Sequence, residues 1–402
     1  MGTPGRFLGV YIFVFCSISA SSIAQSLGVT PSFLGLGHLS DAHYSGALGV
    51  SADGSVVVGL SERYVPGVGY FDEGFRWTIE TGIVGLGFIP GGGPYSIASG
   101  VSDDGAVVVG TGSTYSILEA VRWTTAGGVM PLSSNPGAGN PSRAYAASAN
   151  GSVIVGSRTN AFGTQAYRWT NATGMALLGD LPGGDLYSEA TGVSSDGSVV
   201  VGFGTNSPET FQAFRWTNND GLVAINSPWA SLESTANGVS GNGNVVVGYD
   251  VPSPGTLTRA IRWSEDEGIE FLGNVPNSTG DHHSNAFASS YDGSIIVGRY
   301  STGPSYNPRA FVWDQLNGMR SLQDVLVNEL GIDLTGWDLK SATAVSGNGL
   351  AIVGQGSHNG RSEGWIAVIP EPTSSALYLF GFLTAHRHRK RLSLPDWLPC
   401  GA

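Results

Sequence analysis

Cysteine is nearly absent from this chain. There are two, Cys16 and Cys400. Cys16 falls within an N-terminal leader segment, so the mature chain keeps one, and neither an intramolecular disulfide nor a paired-cysteine metal knuckle is expected. Charge is also scarce: charged residues make up 12% of the sequence, with 19 basic against 31 acidic side chains and a net charge of −12. A nucleic-acid backbone would be repelled by such a chain. Lys340 is the only lysine ahead of the C-terminal tail. No Gly-x-Ser-x-Gly elbow and no Walker loop occurs, and Gly91-Gly92-Gly93 alone does not make a phosphate cradle. Ahead of the C-terminal tail, histidines cluster once, at Asp281-His282-His283, with no third ligand at metal spacing; His38, His43 and His358 stand alone. The sequence therefore offers no catalytic constellation, no metal site and no cofactor motif.

What the chain has is repetition. Glycine accounts for 61 of 402 residues. A turn, a Val/Ile-rich run closing on glycine, a variable stretch and a tryptophan, preceded by Arg in five copies, recur seven times. The closing glycines fall at Gly59, Gly110, Gly156, Gly202, Gly248, Gly298 and Gly354, and the tryptophans at Trp77, Trp123, Trp169, Trp216, Trp263, Trp313 and Trp365. A spacing of 46 to 56 residues between those glycines marks a solenoid, propeller or array.

Each repeat reads as four short strands. In one copy they are 190–194, 198–202, 213–217 and 223–225, rich in the β-branched and aromatic residues that suit a half-buried pleated surface. Asp-Gly or Asn-Gly joins the first two strands in all seven copies, from Asp53-Gly54 through Asp292-Gly293 to Asn348-Gly349, and is the strongest short-range hairpin signal. The last copy lacks its fourth strand, while an orphan, Phe33-Leu34-Gly35-Leu36-Gly37, precedes the first and matches other fourth strands. Complementary ends predict a ring closed within a shared blade, which hides the edges an open array would expose. The expectation is an all-β, seven-bladed β-propeller over residues 30–369. A β-solenoid, the alternative, does not explain the ends.

The termini read differently. Arg6, the apolar run 7–15 and Ser22-Ile23-Ala24 have the order of a secretory signal peptide, residues 1–24. At the other end come Pro370-Glu371-Pro372, an apolar run over 376–385 and the basic cluster His386-Arg387-His388-Arg389-Lys390-Arg391, with 392–402 as a tail. This order resembles the PEP-CTERM sorting signal. The resemblance implies export, handling by an exosortase-type processing protease that recognises Pro370, Glu371 and Pro372, and membrane contact only through this segment. Over roughly residues 32–369 the recurring Gly-Val-Ser-x-Asp-Gly-x-Val-Val-Val-Gly and Ala-Phe-Arg-Trp-Thr resemble the HAF-repeat extracellular proteins, which implies an exported, surface-associated bacterial protein without a defined activity.

Functional hints are positional. The tryptophans recur on the third strand and are expected between blades; Arg76, Arg122, Arg168, Arg215 and Arg262 recur beside them as structural residues. The Ser-x-Asp-Gly turns carry one carboxylate each, or two in Ser102-Asp103-Asp104-Gly105, too few for calcium, which takes six to eight oxygens. Connections between second and third strands, and between blades, vary in length and emerge on one side of the disc. In or beside them lie Tyr64, Tyr70, Phe71, Tyr95, Tyr115, Tyr187, Trp229, Tyr300 and Tyr306, a composition suited to carbohydrate or protein contact. A non-catalytic binding or structural module at the cell surface or in an extracellular matrix is the first reading. A glycan-active hydrolase or lyase using acids such as Asp72-Glu73 is the second, since Glu265-Asp266-Glu267 sits in a short turn on the opposite side.

Overall fold

The computed structural model describes residues 30–370, apart from 40–41, 68, 135–136, 138, 208–209, 228–231, 254–255, 277, 279–281 and 303–306. The signal-peptide segment and Glu371-Pro372 lie outside the described residues, as do Trp229, Tyr306 and Asp281.

Seven four-stranded antiparallel sheets stand around an axis, each a meander of strands A to D from the centre outward. Blades 1 to 6 take their strands from 45–85, 96–131, 142–179, 188–224, 233–271 and 282–321. Blade 7 is built from 337–368 plus β1 (Ser32–Gly37), which lies antiparallel to Arg361–Val368 and pairs Ser32 with Val368 and Gly35 with Trp365. Successive A strands approach one another all the way round, so this end of each blade faces the axis. The predicted propeller and its closure by the N-terminal strand are both present.

The Ser-x-Asp/Asn-Gly turn explains itself atom by atom. In blade 4 the Ser194 hydroxyl donates to Asp196 Oδ1 at 2.6 Å and accepts from Val199 N at 3.0 Å, while Asp196 Oδ1 accepts from Ser198 N at 2.9 Å. Gly197 follows at φ 74°, a left-handed conformation that favours glycine. Each carboxylate is thus occupied by its own turn. Neighbouring turns are also chained: Ala52 N bonds Asp103 O, Asp104 N bonds Ala149 O, and so on through Ser195, Gly241, Tyr291 and Gly347 until Asn348 N returns to Ala52 O, at 2.9–3.2 Å throughout. This belt closes the ring a second time, on the turn face.

These bonds lower the carboxyl pKa of Asp53, through the Ser51 hydroxyl first, and of Asp196, through Ser194 first. For Asp292 burial is the largest influence and pushes upward, but bonds from Ser294 and Ser290 outweigh it. A depressed folded-state pKa adds stability above the ordinary value of about 4, lost as pH falls through the folded value. Asn150, Asn242 and Asn348 fill the same position without titrating. A triple variant, Asp53→Asn, Asp196→Asn and Asp292→Asn, is therefore expected to match the parent near pH 7 but lose less stability between about pH 5 and pH 2. Urea unfolding at stepped pH checks it; parallel losses would refute the assignment.

Seven apolar clusters fill the gaps between blades. Trp123 packs with Val56 and Val58 of the preceding blade, and Trp313 with Val245 and Val247. Arg122 lies 4.9 Å over the ring of Trp169 in the next blade, Arg262 lies 5.6 Å over Trp313, and Arg168 donates to Gly197 O. These guanidiniums tie blade to blade. Trp365 differs from the other six. They pair across from the residue two before the closing glycine, as Trp77 does with Val57; Trp365 faces Gly354 itself, where other blades place Phe75, Tyr167 or Phe214. Connections of free length between strands B and C hide this register from sequence spacing. At its own position Trp365 is fully buried, 6.0 Å from Phe33 of the closing strand.

One element departs from the all-strand expectation. The variable connection between blades 6 and 7, expected as a loop over 323–340, opens instead with a helical turn, α1 (Leu322–Asp324), running on into a wider turn, Val325–Glu329. Leu322, Val325, Leu326 and Leu330 are buried at helical spacing, and the Ser321 hydroxyl caps the start by accepting from Asp324 N.

Candidate functional site

Because a meander alternates direction, the short A–B and C–D turns share one face, and the B–C and D–A connections share the other. The variable face differs from the loop reading in blade 1. Strands B and C continue as a long hairpin, with Val57–Val65 antiparallel to Gly69–Thr78 and Tyr64 opposite Tyr70. These two rings lie 5.3 Å apart and are half exposed. Tyr115 is 76% exposed on the hairpin of blade 2, whereas Tyr300 is buried. Tyr187 packs 5.5 Å from Phe211, whose ring lies 5.4 Å from Phe203.

Within each A strand, two positions around a constant alanine differ from blade to blade. The first is Gly46, Ile97, Arg143, Glu189, Thr235, Asn285 or Ser341; the second, a bulged residue, is Leu48, Ser99, Tyr145, Thr191, Asn237, Phe287 or Thr343. Their side chains meet between blades near the axis. The Tyr145 hydroxyl donates to Glu189 Oε2 at 2.8 Å and that of Tyr187 to Oε1 at 2.6 Å, so one carboxylate is held by two phenols from adjacent blades. Asn237 bridges in the same way to Asn285 Oδ1 at 2.6 Å. Tyr249 donates to Glu233 Oε1 at 2.5 Å.

Electrostatics keeps these phenols protonated. Burial raises the hydroxyl pKa of Tyr145 first and the Glu189 charge second; burial and the bond to Glu189 raise that of Tyr187 far above its ordinary value. Tyr249 is raised by burial and then by Glu233. Each shift favours the protonated hydroxyl, the form that donates. On the blade 1 hairpin, burial and the Glu62 charge push the Asp72 carboxyl upward. Burial and Asp72 raise the Tyr95 hydroxyl, and Arg143, itself exposed, opposes them.

Next to this arc, between blades 5 and 6, lies a cavity of about 340 Å³. Tyr249, Thr258, His283, Asn285, Arg299 and Tyr300 line it. His283 Nδ1 is 3.2 Å from Thr258 Oγ1. Of the tyrosines picked out from sequence, Tyr187 bonds Glu189, Tyr95 lies within reach of the Arg143 charge and Tyr300 lines this cavity, while Tyr64, Tyr70, Phe71 and Tyr115 stand on outlying hairpins. Sequence reasoning missed Arg143, Tyr145, Glu189, Glu233, Tyr249 and Asn285. For Arg143, Tyr145, Glu189 and Asn285 the available signal was variation among copies at the two strand-A positions beside the constant alanine; Glu233 and Tyr249 lie outside those positions.

The candidate acid pair separates. Adjacent strand residues point to opposite faces, and Glu73 turns inward at 1% exposure, accepting from Gly87 N at 2.8 Å and Arg63 Nη1 at 2.7 Å. It anchors a connection. Glu265, Asp266 and Glu267 are exposed on the turn face, with Glu267 3.0 Å from Arg262. Among the described residues no three His, Cys, Asp or Glu side chains gather as a metal site.

No family profile and no curated protein matches the sequence. Solved structures do match. Oligogalacturonate lyase from Vibrio parahaemolyticus aligns over 85% of this chain and 98% of its own at 12% identity, with a TM-score of 0.51. The β-propeller domain of the Trilobed protease from Pyrococcus furiosus aligns over 83% and 96% at 10% identity, also with a TM-score of 0.51. TolB from Acinetobacter baumannii aligns over 66% of this chain at 12% identity and a TM-score of 0.46, and the chain spans 62% of that protein's length. At such identities the likeness is one of fold alone.

Proposed function

We propose that this chain is an exported, surface-associated or matrix propeller that acts as a non-catalytic binding module for carbohydrate or protein, with its ligand held at the axial opening of the variable face. One observation carries the reading. The face with short connections repeats a single turn seven times, whereas the residues that differ between copies converge at the other end as phenols, carboxylates, amides and Arg143. A rigid ring with a polar, aromatic-flanked opening suits a ligand rich in hydroxyl groups, which needs many donors and acceptors over a wide contact. Export and sorting by the Pro370-Glu371-Pro372 segment complete the proposal.

Probing the full chain on a broad glycan array, with parallel analysis for cleavage products, tests it. Retention without products is expected, and Glu189→Gln or Arg143→Ala should weaken retention by roughly 10-fold, the value of one hydrogen bond to a charged group. A second reading, a glycan-active hydrolase or lyase, draws on the juxtaposition of Glu189, two phenols and Arg143. Products that vanish in Glu189→Gln would establish that reading and overturn the first.

A further inference from the structure

The turn face carries a groove that the variable face does not explain. It has a volume of about 800 Å³ and runs along the turns of blades 6 and 7. Tyr291, Trp313 and Leu316 form its apolar wall, and Gly347 with Asn348 its far side. Tyr291 is 52% and Leu316 64% exposed, a costly arrangement for two large side chains at one groove.

We propose that this groove receives the chain's own C-terminal segment, residues 376–391. The last strand ends at Val368, and Ile369 N donates to Leu350 O at 2.8 Å, beside Asn348. The chain therefore leaves the ring on the turn face at the edge of the groove. The C-terminal segment matches the surface in order. Its apolar run 376–385 is about half the ~20 residues a membrane helix needs, so it suits cover by protein. Behind it come Arg387, Arg389, Lys390 and Arg391. Acidic partners flank the groove: Glu265, Asp266 and Glu267 are exposed on the blade 5 turn, which reaches the groove through Arg262, 3.4 Å from Gln315. From Pro370 to His386 an extended chain reaches ~50 Å, ample for the crossing. Docking leaves the variable face open, and a sorting protease would have to draw the segment out of the groove.

Trypsin cutting after Arg387, Arg389, Lys390 and Arg391 in the full chain, followed by mass spectrometry of the released peptides, tests this. Native tail should be cut at least 10-fold more slowly than a free peptide of the same sequence, independent of protein dilution and faster in 0.5 M salt, where surface charge is screened. Leu316→Asp should remove the protection, and Glu265→Lys, a surface change that leaves the groove intact, should reduce it several-fold; Val84→Asp on an outer strand should not. Cutting at the free-peptide rate would overturn the proposal. So would protection that fades on dilution, which means a second copy's groove, or protection that needs added lipid vesicles.

Discussion

A chain that begins at His38, without β1, is expected to lose on the order of 5 kcal/mol of stability and roughly 10 °C in thermal midpoint. β1 supplies Leu36, 4% exposed in the cluster between blades 7 and 1, and Phe33, packed 4.9 Å edge-on to Trp337. Each such side chain is worth about 1.5–3 kcal/mol when buried. Its loss also uncovers one edge of Arg361–Val368 and leaves Glu363 without Gly37 N, 3.0 Å away. A synthetic peptide covering 30–39 should restore the midpoint in a saturable manner, because binding to the folded state adds stability by mass action. Scanning calorimetry with and without peptide decides the matter. An unchanged midpoint would mean that the turn-face belt alone holds the ring shut.

Gly202→Ala is expected to cost about 3 kcal/mol or more, at the upper end of overpacking effects. A Cβ there would stand 1.9 Å from Glu189 O and 2.9 Å from the Phe214 ring. Both are fixed: the carbonyl belongs to a bulged inner strand and the ring is fully buried. The six other closing glycines meet an equivalent carbonyl at 1.9–2.1 Å. Space, not backbone freedom, demands glycine here. Gly221→Ala is the control, because its φ is +68° but nothing lies within 4 Å of an added Cβ, so only the backbone cost of about 1–2 kcal/mol applies. Glu189 moves with the clash, so Gly202→Ala should also weaken ligand retention at temperatures where it stays folded. Equal losses for the two variants in urea unfolding would contradict the steric account.

The fold was legible because its instructions are local and repeated. Asp-Gly and Asn-Gly set the hairpins, the Val/Ile runs set the buried strands, and the mismatched ends implied closure. Where a length varied, legibility failed. Trp365 reads like the other tryptophans, yet the connection before it places it two residues out of register, and the apolar spacing of 322–330 lay unseen within an apparent loop. Loop aromatics pointed to the variable face as a whole, over which they are widely spread, since the hairpin that carries Tyr64 and Tyr70 stands away from the axis.

The sequence by itself determined the number of blades, the turn chemistry, the closing strand and the face on which variation gathers. Only the tertiary structure decided which variable residues meet. Glu189 finds Tyr145 from the preceding blade, 44 positions away in the chain. Likewise, the glycine rule became intelligible only when the carbonyl of the residue before the constant alanine appeared above each closing glycine. The physical reason is the same in both cases. Strand and turn preferences act over a few residues, whereas contacts between blades depend on register, bulges and loop lengths that are settled only when the ring closes.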